Sequence, residues 1–180
     1  TQTTMVTALN SDGFSVGSSD NVNSDAQGMI AWTWKAGGAP TATNTNTSGA
    51  MTANSVSVNG ALQTSYTPSG SPSIYPKKMS VNTAGGFSII QYTKNETAGD
   101  TLPHGLSQAP ELIIVKDLGA ANNWIIYHTS LGATRYLILD DNSTGGTNIN
   151  RWDNTAPSNS VVTLGSSGHV NGPGGPDYIM

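Results

Sequence analysis

Glu111-Leu-Ile-Ile-Val-Lys116, followed closely by Asn123-Trp-Ile-Ile-Tyr-His128, decides the class of fold. Both are short β-branched and aromatic runs bounded by turn residues, which is how strands read. The unbroken apolar stretch Leu112–Val115 predicts strands covered on both faces. Three more such runs lie around them: Gly86-Phe-Ser-Ile-Ile-Gln-Tyr-Thr93, Tyr136-Leu-Ile-Leu139 and Ser160-Val-Val-Thr-Leu164. No window of a dozen residues carries apolar positions at helical spacing free of Gly or Pro. Short strands separated by Gly, Pro and Asn turns predict an all-β, antiparallel β-sandwich or jelly-roll-like domain over residues 79–180.

Upstream the signals are sparser. Asn54 to Tyr66 reads as a β-hairpin, with Val56 and Val58 before Asn59-Gly60 and Leu62, Thr64 and Tyr66 after it. Ala36 to Gly49 is a linker of small residues with nothing evident to bury, and Pro68–Ser73 is a second weak stretch. Gly28 to Trp34 alternates Ile30, Trp32 and Trp34 on one face and predicts a half-buried strand. The chain also repeats itself: Phe14-Ser-Val-Gly-Ser-Ser-Asp-Asn-Val-Asn23 returns as Val162-Thr-Leu-Gly-Ser-Ser-Gly-His-Val-Asn171. Met29-Ile-Ala31 then aligns with Tyr178-Ile-Met180 if the second copy has one extra loop residue. The expected organisation is the closing strands of a preceding repeat-like unit over 1–38, a linker and hairpin over 39–78, and the sandwich domain over 79–180. Such an echo is the mark of a longer array of similar units.

Composition narrows the function. Net charge is −4, charged residues make up 10% of the chain, and Lys77-Lys78 is the one basic pair. Nucleic-acid binding needs a clustered basic face, so no nucleic-acid partner is expected. There is no run of eighteen apolar residues and no charged-then-apolar leader, so neither membrane insertion nor ordinary secretion is expected. The absence of Cys removes disulfides, zinc–thiolate sites and thiol catalysis. An exposed protein without disulfides or leader fits a virion part assembled in a reducing cytoplasm.

A family resemblance agrees with this. The series His104-Gly-Leu, Ala109-Pro110, Ile113-Ile-Val-Lys116, Trp124-x-x-Tyr-His128, Leu131-Gly, Tyr136-Leu, Arg151-Trp152, Thr155-Ala-Pro157 and Leu164-Gly165 resembles a repeat domain of tail-fibre and virion structural proteins of marine tailed bacteriophages, including cyanophages. Gly86–Thr93 resembles the strand that opens that repeat. Asp12-Gly-Phe14 through Ala31-Trp-x-Trp-Lys-Ala-Gly-Gly38 resembles its closing strands and exit linker. The resemblance covers about two-thirds of the chain and has no counterpart for residues 39–78. It implies a virion part and carries no catalytic residue.

His104, between Pro103 and Gly105, reads as a turn cap; His128, ending a strand, reads as a rim residue; neither stands in a ligand spacing or beside a Gly-x-Ser-x-Gly elbow. Trp124 reads with them as part of the structural motif. Asp140-x-Asn142-x-Thr144-Gly145 imitates the start of a calcium loop, but Arg151 occupies the position of the closing carboxylate. The segment therefore reads as a polar turn. Glu96, Asp100, Glu111, Asp117, Asp140 and Asp153 fall mostly in turns, with no reason for two to converge as a glycosidase pair. Large aromatics ordinarily anchor a sandwich core. Trp152, in the loop Asn150–Pro157, is the best surface candidate, and with Arg151, Asp140, Asp141 and Asn142 it forms a candidate ligand-contact rim.

The expectation is a non-enzymatic virion structural protein without cofactor or metal, a fibre or a capsid or tail decoration subunit. It would act by β-rich self-assembly on the particle surface through unpaired edge strands. Its partners are then itself, as a homo-oligomer (a trimer if a fibre), and other virion proteins. The alternative is a module of a phage adhesin that binds a host-surface glycan. A polysaccharide depolymerase is the weakest of the three readings.

Overall fold

A computed structural model describes residues 5–25 and 27–180. The chain divides into two compact units, Thr1–Trp34 and Lys35–Met180. In the first, β1 (Val6–Leu9) and β2 (Phe14–Val16) form an antiparallel hairpin whose register slips between Val6 and Ala8. The strand predicted over 28–34 is not formed: no strand is assigned to this segment, and among the described residues it belongs to none of the sheets. Alternating side chains specify a strand only where an adjacent strand takes up its N–H and C=O groups.

The second unit contains β3 (Val56–Val58), β4 (Ala61–Leu62), β5 (Lys78–Asn82), β6 (Phe87–Thr93), β7 (Asp100–Pro103), β8 (Leu112–Asp117) and β9 (Ile125–His128). A single 3-10 turn (Thr129–Leu131) leads to β10 (Arg135–Ile138), β11 (Gly146–Thr147), β12 (Val161–Leu164) and β13 (Asp177–Ile179). Nine strands make one sheet in the order β11-β10-β9-β8-β13-β6-β5-β3-β4, and β12 pairs with β7 in a second. The fold is all-β, as the sequence predicts. β13 arrives from the far end of the chain and enters between β6 and β8, antiparallel to both. β3 and β5 run parallel, so the sheet is mixed.

One core lies between the two sheets. Leu102, Val162 and Leu164 of the small sheet meet Met79, Val81, Ile90, Tyr92, Ile113, Val115, Ile125, Tyr127 and Tyr178 of the large one. Tyr92 and Tyr178 stack there with ring centroids 5.5 Å apart. In the hairpin the left-handed pair Asn59 (φ 52°) and Gly60 (φ 88°) forms the tight turn that the Asn-Gly sequence specifies.

The boundary expected at residue 79 is not a boundary in the structure, because β3 and β4 belong to the large sheet. Nor is the linker empty. Buried Asn44 donates to the Asn46 and Pro76 carbonyls, both at 2.9 Å, while its Oδ1 accepts from Asn46 N and Thr52 N, and Met51 just beyond the linker is a core residue. The Gly37 carbonyl accepts from Ser57 Oγ at 2.8 Å and Gly60 N at 2.7 Å. A Cβ at Gly37 would run into the Val81 backbone carbonyl, so only glycine lets the segment lie against β5.

Candidate interaction surface

The inner face of the large sheet is filled, and its outer face is not. Directly paired residues share a face. Register therefore places Ile114 (β8), Ile126 (β9) and Leu137 (β10) in one row on that face, with Ile126 buried at its centre and Ile114 and Leu137 half-buried. Leu139, whose N–H donates to the Trp124 carbonyl at 3.1 Å, continues the ladder and sets Trp124 and Leu139 in the next row. Leu112 lies beyond Ile114 on the same face. Leu112 and Leu139 are each 49% exposed and Trp124 is 38% exposed. The prediction that Leu112–Val115 is covered on both faces is thus corrected. Ile113 and Val115 are buried, while Leu112 is open and Ile114 is half-buried. Lys116, His128 and Arg135 edge this apolar band in register.

The ends of the same sheet offer little for edge-to-edge pairing. Both terminal strands, β4 and β11, are two residues long, the length at which natural edges are blunted against templating. The outer face of this sheet therefore offers more contiguous surface than its edges do.

The predicted ligand-contact rim does not form. Trp152 is buried against Tyr127, edge to face with centroids 5.7 Å apart, so it is a core anchor and not a surface contact. Arg151 is buried too, with its guanidinium 4.8 Å from the Tyr136 ring centroid and its Nη1 donating to Ser167 Oγ. Burial lowers its pKa below the ordinary arginine value, opposed by Tyr136. Trp152 turns inward because a large aromatic recovers more free energy in a core than at a polar rim, and the Arg151 guanidinium is held over the Tyr136 ring and bonded to Ser167. Asp140, Asp141 and Asn142 are exposed. Asp140 accepts from Trp124 N at 3.0 Å and Asp141 from Ser143 N at 2.8 Å, so both organise their own turn.

The histidines are bonded into turns. His104 is buried; its Nδ1 accepts from Leu106 N at 3.1 Å and its Nε2 donates to the Ser158 carbonyl at 3.2 Å. That pattern requires the neutral ring, and burial lowers its pKa in agreement. His128 is half-buried and caps the 3-10 turn, its Nδ1 accepting from Ser130 N at 3.2 Å. Among the described residues no group of three His, Cys, Asp or Glu side chains could hold a metal ion.

Asp117, one of the acidic residues that the sequence places mostly in turns, ends β8 and is buried. Its Oδ1 accepts from Gly119 N at 2.8 Å and Ala120 N at 3.1 Å, and its Oδ2 from Asn122 Nδ2 at 2.9 Å and Gly175 N at 3.0 Å. Burial pushes this carboxyl up, but the four hydrogen bonds together outweigh it and hold the pKa below 3.8. The last of them ties β8 to the loop that delivers β13. This is a structural staple.

Sequence reasoning missed the outer-face band. Its signal was present as the spacing-by-two of Leu112 and Ile114, of Trp124 and Ile126, and of Leu137 and Leu139. Which member of each alternation faces the core depends on pairing partners that lie far away in the chain.

The chain matches a family described as a domain of unknown function (DUF7483), over residues 1–72 and 64–180. No curated protein and no solved structure matches the chain.

Proposed function

We propose, for a chain that belongs to the DUF7483 family of domains of unknown function, a role as a non-enzymatic structural module of a bacteriophage virion surface that associates with its own kind. The observation that carries the association is the outer face of β8, β9 and β10, where six apolar side chains (Leu112, Ile114, Trp124, Ile126, Leu137, Leu139) lie in register with half-exposed members. Contiguous apolar surface of this kind marks an interaction site more often than it marks accident. The virion setting rests on the motif series from His104 to Gly165 and on the low-charge, cysteine-free composition. A fibre would make the assembly a trimer by cyclic symmetry. The role in a fibre or in a capsid or tail decoration subunit is the same at this level: a rigid β unit presenting a sticky face.

The test is the double substitution Leu112→Lys with Leu139→Lys, measured by sedimentation velocity. Both side chains are half-exposed, so the fold tolerates lysine there within about 1 kcal/mol. Two desolvated charges per interface weaken association by roughly a hundredfold or more. A wild-type oligomer that becomes a monomer in the variant supports the reading; an oligomer indifferent to both lysines removes the outer face from it.

A glycan-binding module retains one supporting observation, the half-exposed Trp124 beside Asp140. The burial of Trp152 takes away the aromatic on which that reading chiefly depended.

A further inference from the structure

Two segments of this chain share a sequence and also a local structure. In the alignment of Phe14–Asn23 with Val162–Asn171, β2 coincides with the last three residues of β12. Each copy then closes a turn with the same two hydrogen bonds. Val22 N and Asn23 N donate to the Ser19 carbonyl at 3.0 and 2.9 Å, and Val170 N and Asn171 N donate to the Ser167 carbonyl at 3.0 and 2.9 Å.

Their surroundings differ. In the second copy, β12 pairs with β7, and Tyr92 Oη donates to the Val170 carbonyl at 2.5 Å. Asn171 is clasped by the loop after β6. Its Oδ1 accepts from Asn95 N at 2.9 Å, and its Nδ2 donates to Asn95 Oδ1 and the Thr97 carbonyl at 2.9 and 3.0 Å. β13 is then inserted between β6 and β8. All of these partners come from Phe87–Asp117. In the first copy the equivalent positions are open. Phe14 is 38% exposed where Val162 is 1%, Val16 is 37% where Leu164 is 0%, and Met29 is 46% where Tyr178 is 0%. Asn23, the counterpart of fully buried Asn171, is exposed as well, its Nδ2 donating to the Gly17 carbonyl at 3.1 Å within its own turn and its Oδ1 turned, among the described residues, to no loop like that after β6.

We infer that residues 14–31 are the closing strands of a second domain of this same fold, completed by a β6–β8-type segment that stands ahead of them in a longer polypeptide. The occupant is specified by chemistry. It must supply a β7-like strand for Phe14–Val16, an Asn/Thr loop to clasp the Asn23 carboxamide, and two flanking strands to admit Met29–Ala31. A second copy of this chain is the poorer donor, because its own β13 already fills that slot with Tyr178 wholly buried. This inference does not depend on the outer-face association proposed above.

The alignment sets residue 152 against residue 4, so a seamless test protein places residues 35–152 of this chain directly ahead of Met5. Backbone hydrogen exchange is compared between that extended chain and residues 1–180. In the unextended chain the amides of 14–16 and 29–31 exchange at least about a hundredfold faster than those of 162–164 and 178–180. In the extended chain they slow to match them, and Asn23→Ala there weakens protection of the first domain while leaving residues 162–180 unchanged. Equal, fast exchange of 29–31 in both proteins overturns the inference, including the case where the added segment stays unprotected throughout. Protection already present in the unextended chain, rising with concentration alongside a dimer mass, overturns it in favour of exchange between copies.

Discussion

Replacing Trp152 by alanine is expected to lower the unfolding free energy by about 3–5 kcal/mol, the range for deleting a large buried aromatic, and to lower the melting temperature by on the order of 10 °C. The indole is 1% exposed and lies edge to face against Tyr127, itself a core residue. Truncation leaves a cavity bounded by the β9 strand and by Arg151, whose buried guanidinium makes no carboxylate contact among the described residues. Trp152→Phe is expected to recover more than half of the loss. No protein acceptor faces the indole Nε1–H among the described residues, so phenylalanine keeps most of the packing without a buried donor. Thermal or urea denaturation of the three proteins checks this. Were Trp152 instead a surface contact for sugars, Trp152→Ala would leave stability within about 0.5 kcal/mol of wild type.

Asp117→Ala is the second large effect, a loss of about 3–5 kcal/mol, since four donors lose a charged acceptor and the Gly175 N–H is left buried without one. It also carries a pH signature. A carboxyl whose folded pKa lies below its ordinary 3.8 contributes stability that is fully present above that value. The contribution is lost as pH falls through the folded pKa, because the protonated acid can no longer accept all four bonds. Wild-type stability should therefore decline below about pH 4, and the part of that decline due to this residue should be missing in Asp117→Ala and in Asp117→Asn. Urea unfolding at a series of pH values reads both the size and the slope. Parallel curves for wild type and Asp117→Asn would remove Asp117 as the staple of β13.

The sequence made local structure legible and left long-range pairing hidden. The runs 87–93, 112–116 and 125–128 and the Asn59-Gly60 turn could be read directly, since their signals are β-propensity and turn chemistry within a few residues. β5 (Lys78–Asn82) and β7 (Asp100–Pro103) carry Ser, Asn, Asp and Thr and gave no such signal; partners on both sides of β5 hold it as a strand. The insertion of β13 joins residues more than sixty positions apart in the chain, which no window can show. The linker deceived for a related reason: Asn44 organises it through hydrogen bonds, and hydrophobicity does not register those. Gly28–Trp34 erred the other way. Its alternation is that of a strand, yet no strand is assigned over it, because alternation alone does not supply the pairing that holds one. In the candidate site, the sequence predicts Trp152 and Arg151 as surface contacts, and both are buried. Their direction, inward onto Tyr127 and Tyr136, depended on strands elsewhere in the chain.

The measurement that bears most directly on the central claim is the absolute mass of the wild-type chain in solution, by light scattering coupled to size-exclusion chromatography over a range of micromolar concentrations. Burying the outer face of β8–β10 predicts a mass at a whole-number multiple of 18.6 kDa, a trimer if the unit comes from a fibre, that persists on dilution. A single species at 18.6 kDa across the whole range would contradict self-association and leave the apolar face to a different partner.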